Sequence, residues 1–125
     1  MKKYAEALQA INQAIQILPE YHKFYLKRGD IYLELKEYDL ALSDYNKYLT
    51  HKPDSSSALY NRGLAFLKLK RYPDSIKDFS RAIEVKPKYY KVYIKRAKAC
   101  SILGETQKRN QNLLKAFKLK LAGYM

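Results

Sequence analysis

The chain has 125 residues, 47% of them hydrophobic, with four glycines, four prolines and one cysteine. That is one domain's worth of protein with enough apolar content for a core, and the single Cys100 excludes an internal disulfide framework. Charged residues break every apolar stretch before it reaches membrane-spanning length, and the opening Met1-Lys2-Lys3-Tyr4-Ala5-Glu6 lacks the apolar core of a signal peptide, so a cytoplasmic location is the default. The net charge of +13 admits nucleic acid, an anionic membrane or an acidic protein as partner, and composition alone does not choose among them.

Taken in chain order, the first helical pattern covers residues 4–17 and closes at Pro19. A second covers 22–35 with Gly29 near its middle, and a third covers 38–51, with Ala41, Tyr45 and Leu49 at helical spacing and Pro53 after it. The pair then recurs. Residues 56–69 carry Gly63, and residues 72–85 carry Ile76, Phe79 and Ile83 before Pro87. Pro73 falls in the first turn of its helix, where a missing N–H is harmless. Residues 90–103 carry Ala97 in the glycine column, and 106–120 form a last, more polar helix.

Pro19, Pro53 and Pro87 are each 34 residues apart, and the same period aligns the rest. Tyr4, Tyr38 and Tyr72 share a column, as do Ile11, Tyr45 and Phe79, and Leu35, Leu69 and Leu103. A glycine inside a helix costs about 1 kcal/mol relative to Ala. Its recurrence at Gly29 and Gly63 predicts a neighbouring helix that approaches closely.

These columns resemble the tetratricopeptide repeat over residues 4–120, most fully from Tyr60-Asn61-Arg62-Gly63-Leu64-Ala65-Phe66 through Pro87. The resemblance implies an all-α chain, a right-handed superhelix of about seven antiparallel helices. It divides the single domain into a half repeat at 1–21 (helix B only), repeats at 22–55 and 56–89, and a degenerate repeat or cap at 90–121. The family's small residue late in helix B is Ala14, Ala82 and Ala116 here but Tyr48 in the first full repeat. The uncovered N-terminal helix raises self-association as a further reading.

The resemblance implies a protein-binding scaffold, not an enzyme, whose helix A residues line a concave groove. Carried onto this chain, the binding residues are Lys23 and Lys27, then Tyr60, Asn61, Leu64 and Lys68, then Lys91, Ile94, Lys95 and Lys98. Leu26, Asp30, Leu33, Leu67 and Ile102 fall on the same faces. Charge sharpens the expectation. Residues 1–55 carry eight basic and eight acidic side chains, whereas residues 56–125 carry seventeen and four. Surface charge placed for solubility alone need not be so one-sided. The expected ligand is an acidic or amphipathic peptide segment of another protein. One alternative is a co-chaperone-like grip on a heat-shock chaperone C-terminal tail, for which Asn61, Lys91 and Lys95 match the carboxylate clamp while Leu26 and Asp30 do not. Another is a basic RNA-binding repeat protein, whose specificity columns are not found here.

No catalytic, cofactor or metal constellation emerges. His22 and His51 lie at hairpin junctions without a ligand set around them, and no glycine-rich phosphate loop is present. Cys100 falls in the column of Tyr32 and Phe66 and reads as a buried small hydrophobe. Among the thirteen tyrosines, Tyr4, Tyr38, Tyr45 and Tyr72 read as packing residues, and Tyr21, Tyr89 and Tyr90 as exposed.

Overall fold

A computed structural model describes residues 2–124. Among them are seven α-helices and no strand: α1 (Lys2–Ile17), α2 (Lys23–Glu34), α3 (Tyr38–His51), α4 (Ser56–Lys68), α5 (Tyr72–Val85), α6 (Tyr90–Ile102) and α7 (Thr106–Leu121). They gather into two compact units divided between Pro53 and Asp54. In the first, α2 packs on both α1 and α3. In the second, α4 pairs with α5 and α6 with α7, while α6 also packs on α5 and touches α4.

The turn inside each hairpin is one motif written three times. The helix ends at Leu35, Leu69 and Leu103, and the next residue takes positive φ: Lys36 at 63°, Lys70 at 62° and Gly104 at 78°. The following N–H then reaches back to Tyr32, Phe66 or Cys100 at 2.8 Å each time, capping carbonyls the helix leaves open. Between hairpins, proline stops the chain and its carbonyl is put to use. Tyr25 and Tyr93, one period-doubled column, donate their hydroxyls to Pro19 and Pro87 at 3.3 and 2.8 Å. Ser55 caps α4 by accepting from the Ala58 N–H at 3.3 Å, and Pro73 sits in the first turn of α5.

The glycine columns are contact points. A Cβ added to Gly29 would meet the Tyr45 ring at 2.8 Å, and one on Gly63 would meet the Phe79 ring at 2.5 Å. Both rings are 0% exposed, so neither has free space to move into. Ala97, third in the column, faces no such ring: its counterpart is Leu113, which is 45% exposed. Around these contacts the first unit buries Tyr25, Leu26, Ala41, Leu42 and Leu49, and the second buries Leu59, Ala65, Ala82, Val92 and Ala99. Not all apolar surface is covered. Helix α7 leaves Leu113, Leu114, Phe117 and Leu121 exposed between its lysines.

A second recurring contact is polar. Arg28 Nε and Nη2 donate to the two Asp44 carboxylate oxygens at 2.9 and 2.8 Å, and Nη1 donates to Asn12 at 3.0 Å. Arg62 grips Asp78 the same way, at 2.7 Å twice. Arg96 donates to Asn112 at 2.8 Å and to Ser80 at 3.2 Å. The carboxylates are nearly buried, at 4% and 5% side-chain exposure, while each arginine keeps 23%. The Arg28 guanidinium is held above its ordinary pKa, chiefly by the hydrogen bond to Asp44 against the opposing effect of burial.

Two outcomes check this packing. Gly63→Ala gains about 1 kcal/mol of helix propensity but overpacks the Phe79 ring, a cost of typically about 1–3 kcal/mol. Thermal denaturation should show a lowered midpoint; a raised one would mean the ring yields freely. Asp78→Ala removes both acceptors of Arg62 and should cost about 2–3 kcal/mol in urea denaturation, moderated because the arginine reaches water. Asp78→Asn should recover part of that loss, since Asn112 already serves Arg96 in this way.

Candidate functional site

The expected binding residues are best taken unit by unit. In the first unit, Lys23 and Lys27 lie one turn apart on α2 and are exposed. Their expected neighbour Leu26 is not available, being 8% exposed in the core. Asp30 is engaged as well, accepting the Tyr45 hydroxyl at 2.7 Å.

In the second unit α4 and α6 present the remaining positions. Lys91, Lys95, Lys98 and Ile102 recur at spacings of three and four, so a 3.6-residue turn lines them up as one stripe along α6. Lys91, Lys98 and Ile102 are exposed and Lys95 is partly buried. Ile94, Lys98 and Ile102 also line a shallow recess of about 350 Å³, completed by Ala97, Ser101, Arg109 and Leu113. On α4, Asn61 and Leu64 are half-buried and Lys68 is exposed, while Leu67 turns into the core.

Tyr60 has a more structural setting. Its ring lies 5.9 Å from Phe79 and 5.3 Å from Tyr89, and burial, with the neighbouring Tyr89 second, pushes its hydroxyl up to about 12. It stays a neutral hydrogen-bonding group at any physiological pH. The expectation that Tyr89 and Tyr90 are exposed is corrected here. Tyr89 packs its ring at a tilt against Tyr60, and Tyr90 packs against the buried cluster of Tyr93, Ala116 and Leu119. Tyr21 does remain exposed, at 48%.

The described residues also place the histidines and the cysteine. Among the described residues no group of three or more His, Cys, Asp or Glu side chains is placed to hold a metal ion, and no helix is long and apolar enough to cross a membrane. Cys100 is 2% exposed, and burial, then Glu105, raises its thiol above the usual value, the reverse of an activated nucleophile. His22 and His51 stack face to face with ring centroids 3.4 Å apart. Nothing in the sequence signalled that pairing, because the two histidines fall in different columns of the period. The arginine contacts were also overlooked, although Arg28, Arg62 and Arg96 recur at the period, with Asp44, Asp78 and Asn112 sixteen residues after each.

Comparison with known proteins bears on the repeat and the fold. The tetratricopeptide repeat family matches residues 56–89, and a second model of the same repeat matches residues 29–70. No curated protein sequence matches. Among solved structures, MamA from Desulfovibrio magneticus RS-1 (residues 41 to the end) superposes with a TM-score of 0.93 at 18% identity, over 98% of this chain and 69% of that one. A double mutant of MamA RS-1 gives 0.92 at 18% identity over 96% and 67%, and a further crystal structure of MamA gives 0.90 at 22% identity over 96% and 70%. At these identities the likeness shows the fold. The helical hairpins, their period and the family matches make this chain a tetratricopeptide repeat protein, built on a fold that serves in general as a protein-interaction scaffold.

Proposed function

We propose that the second unit binds an acidic, partly apolar peptide segment of a partner protein along the lysine-bearing faces of α4 and α6. The observation that carries this is the placement of charge. Residues 54–125 hold seventeen basic and five acidic side chains, and Lys91, Lys95 and Lys98 form one stripe beside the recess of Ile94 and Ile102. Lysines supply attraction and orientation, and the recess takes an aliphatic side chain. Because the helices are rigid, the peptide bears most of the ordering cost. A lone buried thiol suits a reducing compartment, so the interaction belongs in the cytoplasm.

A chaperone-tail ligand is disfavoured: Asn61, Lys91 and Lys95 match that clamp, but Leu26 is buried and Asp30 brings a negative charge where a carboxylate-binding cation is required. Nonspecific phosphate binding is separated by its salt dependence, which is steep and indifferent to sequence.

A fluorescein-labelled peptide alternating Glu and Leu should bind saturably at about 0.15 M salt, read by anisotropy. Lys91→Glu with Lys95→Glu should weaken it at least tenfold, about 1.4 kcal/mol, with an unaltered circular-dichroism melt. Equal affinity in the double variant, or displacement of the peptide by any RNA in proportion to its length, would end this reading.

A further inference from the structure

A larger hollow lies elsewhere in the same unit. It measures about 740 Å³ and lies between α5 and α7, floored by Tyr93, Arg96, Cys100 and Leu103 of α6 and its end. At 3.6 residues per turn those four positions fall roughly opposite the lysine stripe on α6.

The period explains why a hollow exists there. Position 100 is Tyr32 and Phe66 in the two preceding repeats. In those repeats the aromatic ring lies beside the recurring arginine: Arg28 is 5.8 Å from the Tyr32 centroid, and Arg62 is 5.9 Å from that of Phe66. A second cation, Arg71, also lies over the Phe66 ring, at 4.7 Å. In the third repeat the arginine is kept as Arg96 while the ring shrinks to a cysteine side chain. A second loss coincides with the first. The carboxylate that neutralises Arg28 and Arg62 becomes neutral Asn112, which also lines the hollow.

Relative to its siblings, the third repeat therefore lacks one aromatic ring and one negative charge, at adjoining places, in one cavity. Its remaining charged lining is Arg96, Lys108 and Lys115 against Glu105 alone, and Lys108 already pairs with Glu105 at 3.3 Å. Pro73, Ile76 and Leu103 supply apolar walls. We infer that this hollow is a second docking site, which takes an aromatic side chain flanked by a carboxylate from a peptide segment of a partner protein. The ring occupies the place of Phe66 beside the guanidinium of Arg96, and the carboxylate supplies the counter-charge that Asp78 gives to Arg62. The attraction is a cation–π contact joined to a charge-assisted hydrogen bond. The site does not depend on the lysine face proposed above.

The test restores what the repeat lost. The probe is a fluorescein-labelled peptide of four acidic residues around one phenylalanine, compared with the same peptide carrying alanine. Wild-type protein should bind the phenylalanine peptide at least tenfold more tightly. Cys100→Phe should weaken that binding at least tenfold while melting at or above the wild-type temperature, because the column accepts phenylalanine. Asn112→Asp should weaken it severalfold, and Cys100→Ala should leave it unchanged. The pair Lys91→Glu and Lys95→Glu should keep the preference for phenylalanine, which separates this site from the other face. Should Cys100→Phe fail to fold, wild-type protein and Asn112→Asp still decide: the wild type should prefer the phenylalanine peptide, and Asn112→Asp should narrow that preference. Equal affinity for the two peptides, or full binding by a folded Cys100→Phe, overturns the proposal.

Discussion

The contact on which the rest of each unit depends is an aromatic ring pressed against a helix that has no side chain in the way. Tyr45 on Gly29 and Phe79 on Gly63 set how closely the two helices of a hairpin approach. That separation brings a guanidinium on one helix within bidentate reach of a carboxylate sixteen residues later, and both Arg28–Asp44 and Arg62–Asp78 fulfil it. A buried carboxylate is tolerable only with such a partner, since burial without one costs several kcal/mol, of the order of 3–5. Apolar packing and polar pairing are thus not separate contributions here; the first places the second.

The third hairpin departs from this scheme at several linked positions. Alanine stands for glycine at Ala97, leucine for the ring at Leu113, cysteine for the aromatic at Cys100, and asparagine for aspartate at Asn112. Its backbone nevertheless keeps the same turn, with positive φ at Gly104 and the same 2.8 Å closing hydrogen bond. The scaffold is held while the side chains that fill it are relaxed. Such a division leaves chemistry free to vary: a lysine stripe on one side of α6, and on the other a hollow with apolar walls and a basic excess.

Much of this was legible in the sequence, for a physical reason. A period of 34 residues, punctuated by Pro19, Pro53 and Pro87, reports directly on helix length and turn placement. All seven helices fall within about two residues of the expected bounds, the usual uncertainty of helix ends. The glycine columns announced close packing, and Tyr45 and Phe79 supply it. Side-chain fates were less legible. Leu26 and Leu67 share the spacing of groove-facing residues yet turn inward, because a boundary position on a helix can rotate to either side with little change in spacing. Tyr89 and Tyr90 follow a proline, which suggests a loop, but one packs at a tilt against Tyr60 and the other packs on the core of the last hairpin. The stacked His22 and His51 come from different columns, so no periodic signal links them.

The first helix shows what the arginine contact does when little else is present. No residue of α1 is fully buried, and Ile17 and Leu18 are 82% and 47% exposed. Among the described residues Arg28 donates one hydrogen bond to Asn12 of this helix, while the same arginine holds Asp44 with two. Neither the Arg28–Asp44 ion pair nor the contact of Tyr45 with Gly29 uses a residue of α1. The first unit has a weak seam beside a strong one, and native-state fluctuations that expose amides to exchange open along the former long before the latter.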